Sequence, residues 1–352
     1  MPSSALARRR SGCRATCTNR LSPADQVGLT TGSVCRVTEP VVLLPSEDFV
    51  RAVREVQTVN PAAANQAALV VYEGVAPPAD EVLARVEFYV PPYLAGPAQL
   101  ALMKQLPELR VVQSLSAGVD DIWPYLPDGV RLHNAAGVHD SSTAELTLAL
   151  MLASLRRVDD FVRDQGHHRW QQSYVESLAD KKVLVIGYGH IGQAIDRRLA
   201  GFEVEVVRVA SRARRENGLE VHGISELPEL LPAADIVVLI VPLNATTAGL
   251  ADSAFLAAMK DGALLVNMAR GAVVVTAALV AELQSGRLRA ALDVTDPEPL
   301  PVGHPLWDAP GVIISPHTGG FSSAFLPRAQ KLVSEQVTRW LSGKAMINEV
   351  GQ

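Results

Sequence analysis

Short apolar runs alternate with stretches of helical spacing from residue 40 onward, and this alternation sets the expected elements. Residues 41–44, 68–72, 86–90, 111–115 and 131–134 are expected strands. Residues 47–57, 80–84 and 97–104, lying between them, are expected helices. Ser142-Thr-Ala-Glu145 has the form of a capping box, a hydroxyl at the helix start with an acid three positions on. It would open a long apolar helix over 144–155, closing on Arg156 and Arg157, cations suited to a helix C-terminus. After a polar segment at 159–181, strands are expected at 182–186, 203–209, 235–241, 263–267, 290–294 and 312–315. Helices around 227–231, 254–259 and 277–284 separate the later ones. One more amphipathic helix, at 322–341, has no strand left to pair it.

Strand–helix alternation of this kind builds α/β domains with doubly wound parallel sheets. The pattern divides into two such units, one over 143–318 and one made of 39–142 plus 319–352. The lone C-terminal helix is expected to return to the first unit, which leaves the ligand cleft between the two. A balance of 48% hydrophobic and 20% charged residues over 352 positions suits a globular protein with core enough for two domains. A net charge of -5 gives no reason to expect nucleic acid or an anionic membrane as partner. No apolar run reaches the roughly 18 residues of a membrane span. Cys13, Cys17 and Cys35 are the only cysteines, so the body of the chain has no disulfide framework or Cys-based zinc site. No metal is expected, and the usage fits a reducing cytoplasm.

Residues 1–38 differ from the rest. The first 20 hold Arg8, Arg9, Arg10, Arg14 and Arg20 and no acid, a composition shared with transit peptides. A twin-arginine export signal would need an apolar stretch where Ser11 to Arg20 is polar. With 26 arginines against 6 lysines the chain points instead to a GC-rich bacterial genome. A disordered extension, or a start codon placed too far upstream, is the expectation.

The candidate chemistry begins at 182–192, Lys-Val-Leu-Val-Ile-Gly-Tyr-Gly-His-Ile-Gly. A buried strand turns through three glycines into a helix, whose exposed N–H groups can hold a pyrophosphate. Gly187 permits the tight turn, Gly189 admits the phosphates and Gly192 lets helix and strand pack closely. Three later strand ends carry polar groups: Arg270 in Asn-Met-Ala-Arg-Gly, Asp293 with Glu298 in Asp-Val-Thr-Asp-Pro-Glu-Pro, and His317 in Ser-Pro-His-Thr-Gly-Gly. Taken singly, each reads as an ordinary surface or structural residue. At one sheet edge behind a dinucleotide loop, they become a cation, a carboxylate and an imidazole facing a nicotinamide. Reduction of a 2-oxo acid needs those types. An imidazolium supplies a proton near neutral pH, a carboxylate on its other nitrogen fixes the tautomer, and a guanidinium holds carboxylate and carbonyl in one plane.

From about Val41 to Val350 the sequence resembles the D-2-hydroxyacid dehydrogenase family. The resemblance is carried by Ser-Ala-Gly-Val-Asp (116–120), Thr-Ala-Glu (143–145), Gly-Tyr-Gly-His-Ile-Gly (187–192) and Asn-Met-Ala-Arg-Gly (267–271). Ala-Leu-Asp-Val (291–294), Glu-Pro-Leu (298–300) and Ser-Pro-His-Thr-Gly-Gly (315–320) complete it. It implies a Rossmann nucleotide domain inserted into a flavodoxin-like substrate domain. It further implies that Arg270 binds substrate, that Glu298 pairs with His317, and that His317 is the acid/base. Ala117 and Gly118 would hold the substrate carboxylate through backbone N–H groups, with Tyr93 facing the substrate. Asp293 would contact the nicotinamide amide, and Gly187, Gly189, His190, Ile191, Gly192, Val241 and Gly319 would line the cofactor. A homodimer through the nucleotide domain and the helix after Thr143 is expected by the same analogy.

One departure bears on the cofactor. NAD-binding members carry an acid about 18 residues past the last glycine, where it accepts from the ribose 2′-OH. Here that position is Ala210, followed by Ser211, Arg212, Ala213 and Arg214. A hydroxyl and guanidiniums in place of a carboxylate favour NADP over NAD, with Ser211, Arg212 and Arg214 as candidate phosphate contacts. Formate dehydrogenases of similar pattern carry Gln where Glu298 stands, and phosphite-oxidising members carry Lys near Ala117. Glu298 and Ala117 argue for 2-oxo acid chemistry here, and a formate- or phosphite-type dehydrogenase of the same fold stands as one alternative. The expectation is an NAD(P)-dependent 2-oxo acid reductase with a small-molecule substrate. A non-catalytic NAD(H)-sensing corepressor on the same fold is the alternative from another class.

Overall fold

The computed structural model describes residues 39–59 and 67–351; the expectation for 1–38 lies outside them. The chain runs β1 (Val41–Leu44), α1 (Glu47–Val59), β2 (Ala68–Val71), α2 (Asp80–Leu83), β3 (Val86–Tyr89), α3 (Pro97–Ala101), β4 (Val111–Gln113) and β5 (Arg131–His133). Two helices follow, α4 (Asp140–Arg156) and α5 (Val158–Gly166). Next come β6 (Lys182–Ile186), α6 (His190–Leu199), β7 (Glu205–Ala210), β8 (Arg214–Glu216), β9 (Leu219–Gly223), α7 (Leu227–Leu230) and β10 (Ile236–Leu239). The remainder is α8 (Ser253–Ala258), β11 (Leu264–Asn267), α9 (Thr276–Gln284), β12 (Arg289–Leu292), β13 (Val312–Ile314), α10 (Phe325–Leu341) and β14 (Glu349–Val350).

Two sheets result, ordered β14-β5-β4-β3-β1-β2 and β13-β12-β11-β10-β6-β7-β9-β8. All pairings are parallel except β14 with β5 and β8 with β9. In each sheet the winding reverses beside the first strand: β1 lies between β2 and β3, and β6 between β7 and β10. Crevices at such reversals, outside the strand C-termini, are where doubly wound sheets take ligands.

The parallel strands are buried on both faces and read as unbroken apolar runs: Ile236, Val237, Val238 and Leu239 of β10 are all inaccessible. α4 buries Ala144, Leu148, Met151 and Leu155 against Val183 and Val185 of β6, Ile195 of α6 and Val266 of β11. Those four recur at helical spacing, so one face of α4 belongs to the second sheet. α10 buries Ala329, Leu332, Val333 and Val337 against Phe49 and Val53 of α1 and against strands of the first sheet. Each of the Leu, Met and Val side chains contributes about 1.5–3 kcal/mol on burial, and each Ala methyl under about 1 kcal/mol.

Four expectations need correction. α4 begins at Asp140, because Thr143 N–H already donates to the His139 carbonyl at 3.0 Å. Ser142 and Glu145 therefore lie inside the helix and form no capping box; the Ser142 hydroxyl donates back to His139 O. The polar segment after it contains α5, which buries no side chain and is laced by Arg163 with Asp159 and Asp160. Residues 214–223 are a hairpin turning at Asn217 and Gly218, both at positive φ (52° and 80°), as a two-residue primed turn demands. The C-terminal helix is followed by a strand after all, since β14 pairs with β5.

Candidate active site

The glycine turn sits at the reversal of the second sheet. Gly187 has φ 110°, and a Cβ there would meet the Ile240 carbonyl oxygen at 2.3 Å, where Val241 continues from β10. A Cβ on Gly192 would meet the Gly187 carbonyl at 2.0 Å. A Cβ on Gly189 would meet nothing within 4 Å. Two glycines are thus required by the protein's own packing, and the third faces open space. The N–H groups of Gly189, His190, Ile191 and Gly192 find no acceptor among the described residues. Four free donors at the start of a ten-residue helix, with a gap before them, fit a dinucleotide pyrophosphate. His190 also lies 3.6 Å from Asp140 of α4.

Ser211 and Arg212 follow β7, whose Val209 is level with Ile186 of β6 and accepts from Gly187 N–H at 2.9 Å. Both are exposed at the same sheet edge as the glycine turn, and no acid pairs with Arg212 among the described residues. Arg214, expected beside them at the phosphate, is engaged elsewhere. It donates to the Tyr188 carbonyl at 3.0 Å and pairs with Glu216 at 2.7 Å. Beneath the turn, the Tyr188 hydroxyl donates to Asp196 at 2.5 Å, and Arg208 holds that carboxylate at 2.6 and 2.9 Å. Burial, then the Asp196 carboxylate, raises the Tyr188 phenol above its ordinary range.

The strand ends carry the polar groups into one cleft. After β11, buried Asn267 pins its own loop by donating to Arg270 O at 3.0 Å and accepting from Ala269 N–H at 3.1 Å. Gly271 lets that loop lie on the next one, since a Cβ there would meet Thr295 O at 1.9 Å. After β12, the buried Asp293 carboxylate accepts from the Ser315 hydroxyl (2.6 Å), Thr318 N–H (2.8 Å) and Gly319 N–H (2.9 Å). His317 sits inside that wrapped loop in a left-handed conformation (φ 52°), its N–H bonded to Asp293 O at 2.7 Å. Holding a non-glycine residue there costs on the order of 1 kcal/mol, which the three carboxylate bonds offset. His317 Nδ1–H donates to Glu298 at 2.5 Å, and Nε2 has no partner among the described residues.

From the first sheet, the loop after β4 brings Ala117 and Gly118 opposite Arg270. Neither N–H has an acceptor among the described residues. The Arg270 guanidinium lies on Gly118 itself, Nη2 being 1.7 Å from where a Cβ would stand, and pairs with Asp120 at 3.1 Å. Asn134 Nδ2 donates to Ala117 O at 2.9 Å, and Asn134 N–H donates to Asn348 O at 3.0 Å beside β14. Tyr93 packs on His139, Phe321 and Phe325, with its hydroxyl toward Gly320. Burial raises the Tyr93 phenol, although nearby Arg270 pulls it down. Desolvation at the cleft pushes the Asp121 carboxyl up.

Tyr93, Ala117, Gly118, Ile191, Arg270, Asp293, His317 and Gly319 therefore line one cleft, with Glu298 behind His317. Ser211, Arg212 and Val241 lie outside it, along the nucleotide edge. Sequence reasoning missed Asp120, Asp121, Asn134, His139 and Thr143. Asp120 stands inside the quoted Ser-Ala-Gly-Val-Asp motif, so a signal existed for it. Thr143 likewise stands inside Thr-Ala-Glu (143–145), whereas Asp121, Asn134 and His139 meet the site only through the fold.

Residues 148–319 match the family described as D-isomer specific 2-hydroxyacid dehydrogenase, NAD binding domain. The chain is 33% identical over 252 residues to glyoxylate reductase/hydroxypyruvate reductase of Homo sapiens, covering 69% of this chain and 77% of that one. The chain belongs to the D-isomer specific 2-hydroxyacid dehydrogenase family. Solved structures agree. The TT0316 protein of Thermus thermophilus superposes with a TM-score of 0.70 at 32% identity, over 89% of this chain and 100% of that one. NADPH-dependent glyoxylate/hydroxypyruvate reductase SMc02828 of Sinorhizobium meliloti, in complex with NADP and sulfate, superposes with a TM-score of 0.73 at 26% identity, over 89% and 98%. This member of the family is an NAD(P)-dependent 2-hydroxyacid dehydrogenase with the Rossmann fold the glycine turn implied.

Proposed function

We propose that this enzyme reduces a small 2-oxo acid to the D-2-hydroxy acid, with NADPH as preferred reductant. The observation that carries the reading is the His317–Glu298 pair at 2.5 Å, on the cleft edge shared with Arg270. A bound reduced nicotinamide supplies the hydride to the carbonyl carbon. Arg270 presents coplanar N–H donors to the substrate carboxylate and carbonyl, and the Ala117 and Gly118 N–H groups complete the carboxylate site. His317 Nε2 gives its proton to the carbonyl oxygen as negative charge develops there, and the imidazole is left neutral. Its Nδ1–H stays bonded to Glu298, which sets the tautomer and stabilises the imidazolium before transfer. The carbonyl thus gains one hydride and one proton and becomes a hydroxyl. Asp120 and Asp121 at the cleft disfavour a second negative charge on the substrate, which argues for a compact monoanion over a phosphorylated 2-oxo acid.

Ser211 and Arg212, with no carboxylate at Ala210, support NADPH over NADH. Arg212→Ala is expected to raise KM for NADPH by about tenfold and leave KM for NADH nearly unchanged; equal effects on both would remove the argument. A homodimer completes the reading. Beside α4, the helix α5 and the segment after it expose Phe161, Val162, Trp170 and Tyr174, apolar surface that a second copy would cover. The decisive assay is nicotinamide absorbance with glyoxylate, hydroxypyruvate and phenylpyruvate, each with NADPH and NADH. Turnover of at least one is expected. Tight nucleotide binding with no turnover on any 2-oxo acid would favour a nucleotide-sensing binding protein.

A further inference from the structure

We propose that Arg214 is a clamp orienting the glycine turn for either nucleotide, held in place by the β8–β9 hairpin, and is not a ligand of the 2′-phosphate. This inference rests on the nicotinamide nucleotide reading above. A trans peptide is planar, so its carbonyl and its N–H point to opposite sides. Arg214 holds the Tyr188 carbonyl at 3.0 Å, which turns the N–H of Gly189 the other way. That N–H has no acceptor among the described residues, and open space lies where a Gly189 Cβ would stand. Arg214 therefore aims one of the donors that would meet the pyrophosphate, a group common to NADH and NADPH.

The hairpin supplies the anchor. Glu216 sits two residues on along β8, hence on the same face as Arg214, and takes its Nε at 2.8 Å and its Nη2 at 2.7 Å. Its other carboxylate oxygen accepts from Gln193 Nε2 of α6 at 3.1 Å. The hairpin thus grips the turn at residue 188 and the helix at residue 193, on either side of the free N–H groups. From below, the Tyr188 hydroxyl donates to Asp196, whose carboxylate Arg208 holds in place. To reach a 2′-phosphate, Arg214 would have to leave both Glu216 and the Tyr188 carbonyl. Its charge is already balanced by Glu216, whereas Arg212 has no acid partner among the described residues.

The test is nucleotide binding to the full-length protein by calorimetry, comparing Arg214→Ala, Arg214→Lys and Glu216→Ala with the unaltered chain. Arg214→Ala should weaken NADPH and NADH by the same factor, about tenfold for the loss of a charge-assisted hydrogen bond. Arg214→Lys keeps one donor and should recover part of that loss for both. Should Arg214→Ala fail to fold, Glu216→Ala removes the anchor alone and should weaken both nucleotides in equal proportion. A loss confined to NADPH in Arg214→Ala, or a gain confined to NADPH in Glu216→Ala, would make Arg214 a phosphate ligand, and no loss for either nucleotide would make the contact idle; each overturns the clamp alone. Failure of the unaltered protein to bind either nucleotide would remove the underlying reading, and the clamp with it.

Discussion

The loop after β4 and the glycine turn after β6 solve the same problem with different materials. Each leaves backbone N–H groups without an acceptor among the described residues, free for the anion proposed there, and each has a preceding carbonyl held from behind by a side chain. At the substrate loop that side chain is Asn134, neutral and tied through Asn348 to the C-terminal strand. At the nucleotide turn it is Arg214, charged and carried on an exposed hairpin. Their glycines differ as well. Gly118 is crowded by Arg270, which lies against it, whereas at Gly189 the protein leaves the space open. Both loops are therefore shaped by the protein's own groups, through Gly118 at one and Gly187 and Gly192 at the other, and Gly189 alone faces space the protein leaves open.

Substitutions can break that contrast. Gly118→Ala must push the Arg270 guanidinium off its seat, and if Arg270 holds substrate as proposed, a displacement of about an ångström costs on the order of 100-fold in kcat/KM. Nucleotide affinity should be unaffected; a loss of NADPH binding instead would mean that the two loops are not separate. Gly189→Ala should act in the opposite sense, with thermal stability retained and both nucleotides weakened by roughly tenfold. If its melting temperature drops while binding survives, the space before Gly189 is not a ligand site. Asn134→Ala, which frees the Ala117 carbonyl, should raise KM for the 2-oxo acid by about fivefold, the worth of one hydrogen bond, without changing nucleotide affinity.

The smallest expected effect concerns pH. Burial lowers the imidazoles of His133, beside the C-terminal strand, and His139, beneath Tyr93, below their usual 6.5. Both bind a proton less readily in the fold than once unfolded, where they titrate near pH 6.5, so the unfolded state binds more protons below that pH. Stability is then lost as pH falls through about 6.5 and is retained above it. The melting temperature should drop between about pH 7.5 and pH 5.5. His133→Gln, which can still donate to the Ile347 carbonyl, should flatten part of that drop. An unchanged slope would locate the effect elsewhere.

The two sheets, and the family to which they belong, were legible because their cues are local. A buried strand ending in Gly187, Gly189 and Gly192 needs no distant partner to be read, and Arg270, Glu298 and His317 each follow a strand of one parallel sheet. Parallel strands place their ends on one edge, which brings those residues together. What stayed hidden depends on long-range contact: Asp120 meets Arg270 across 150 positions, and Asn134 is fixed by a strand at the far end of the chain. Arg214 is a different case. Asn217-Gly218 is a strong hairpin signal, and it would have set Glu216 beside Arg214 and marked that guanidinium as engaged.

In the proposed 2-oxo acid reduction, His317 passes the proton. Steady-state turnover and NADPH affinity of His317→Gln, measured side by side with the unaltered enzyme on the best 2-oxo acid, test it most directly. kcat should fall by about 100-fold or more, the range for losing a general acid, with NADPH affinity within about twofold of the original. Undiminished turnover, or a loss explained wholly by weaker NADPH binding, would contradict it.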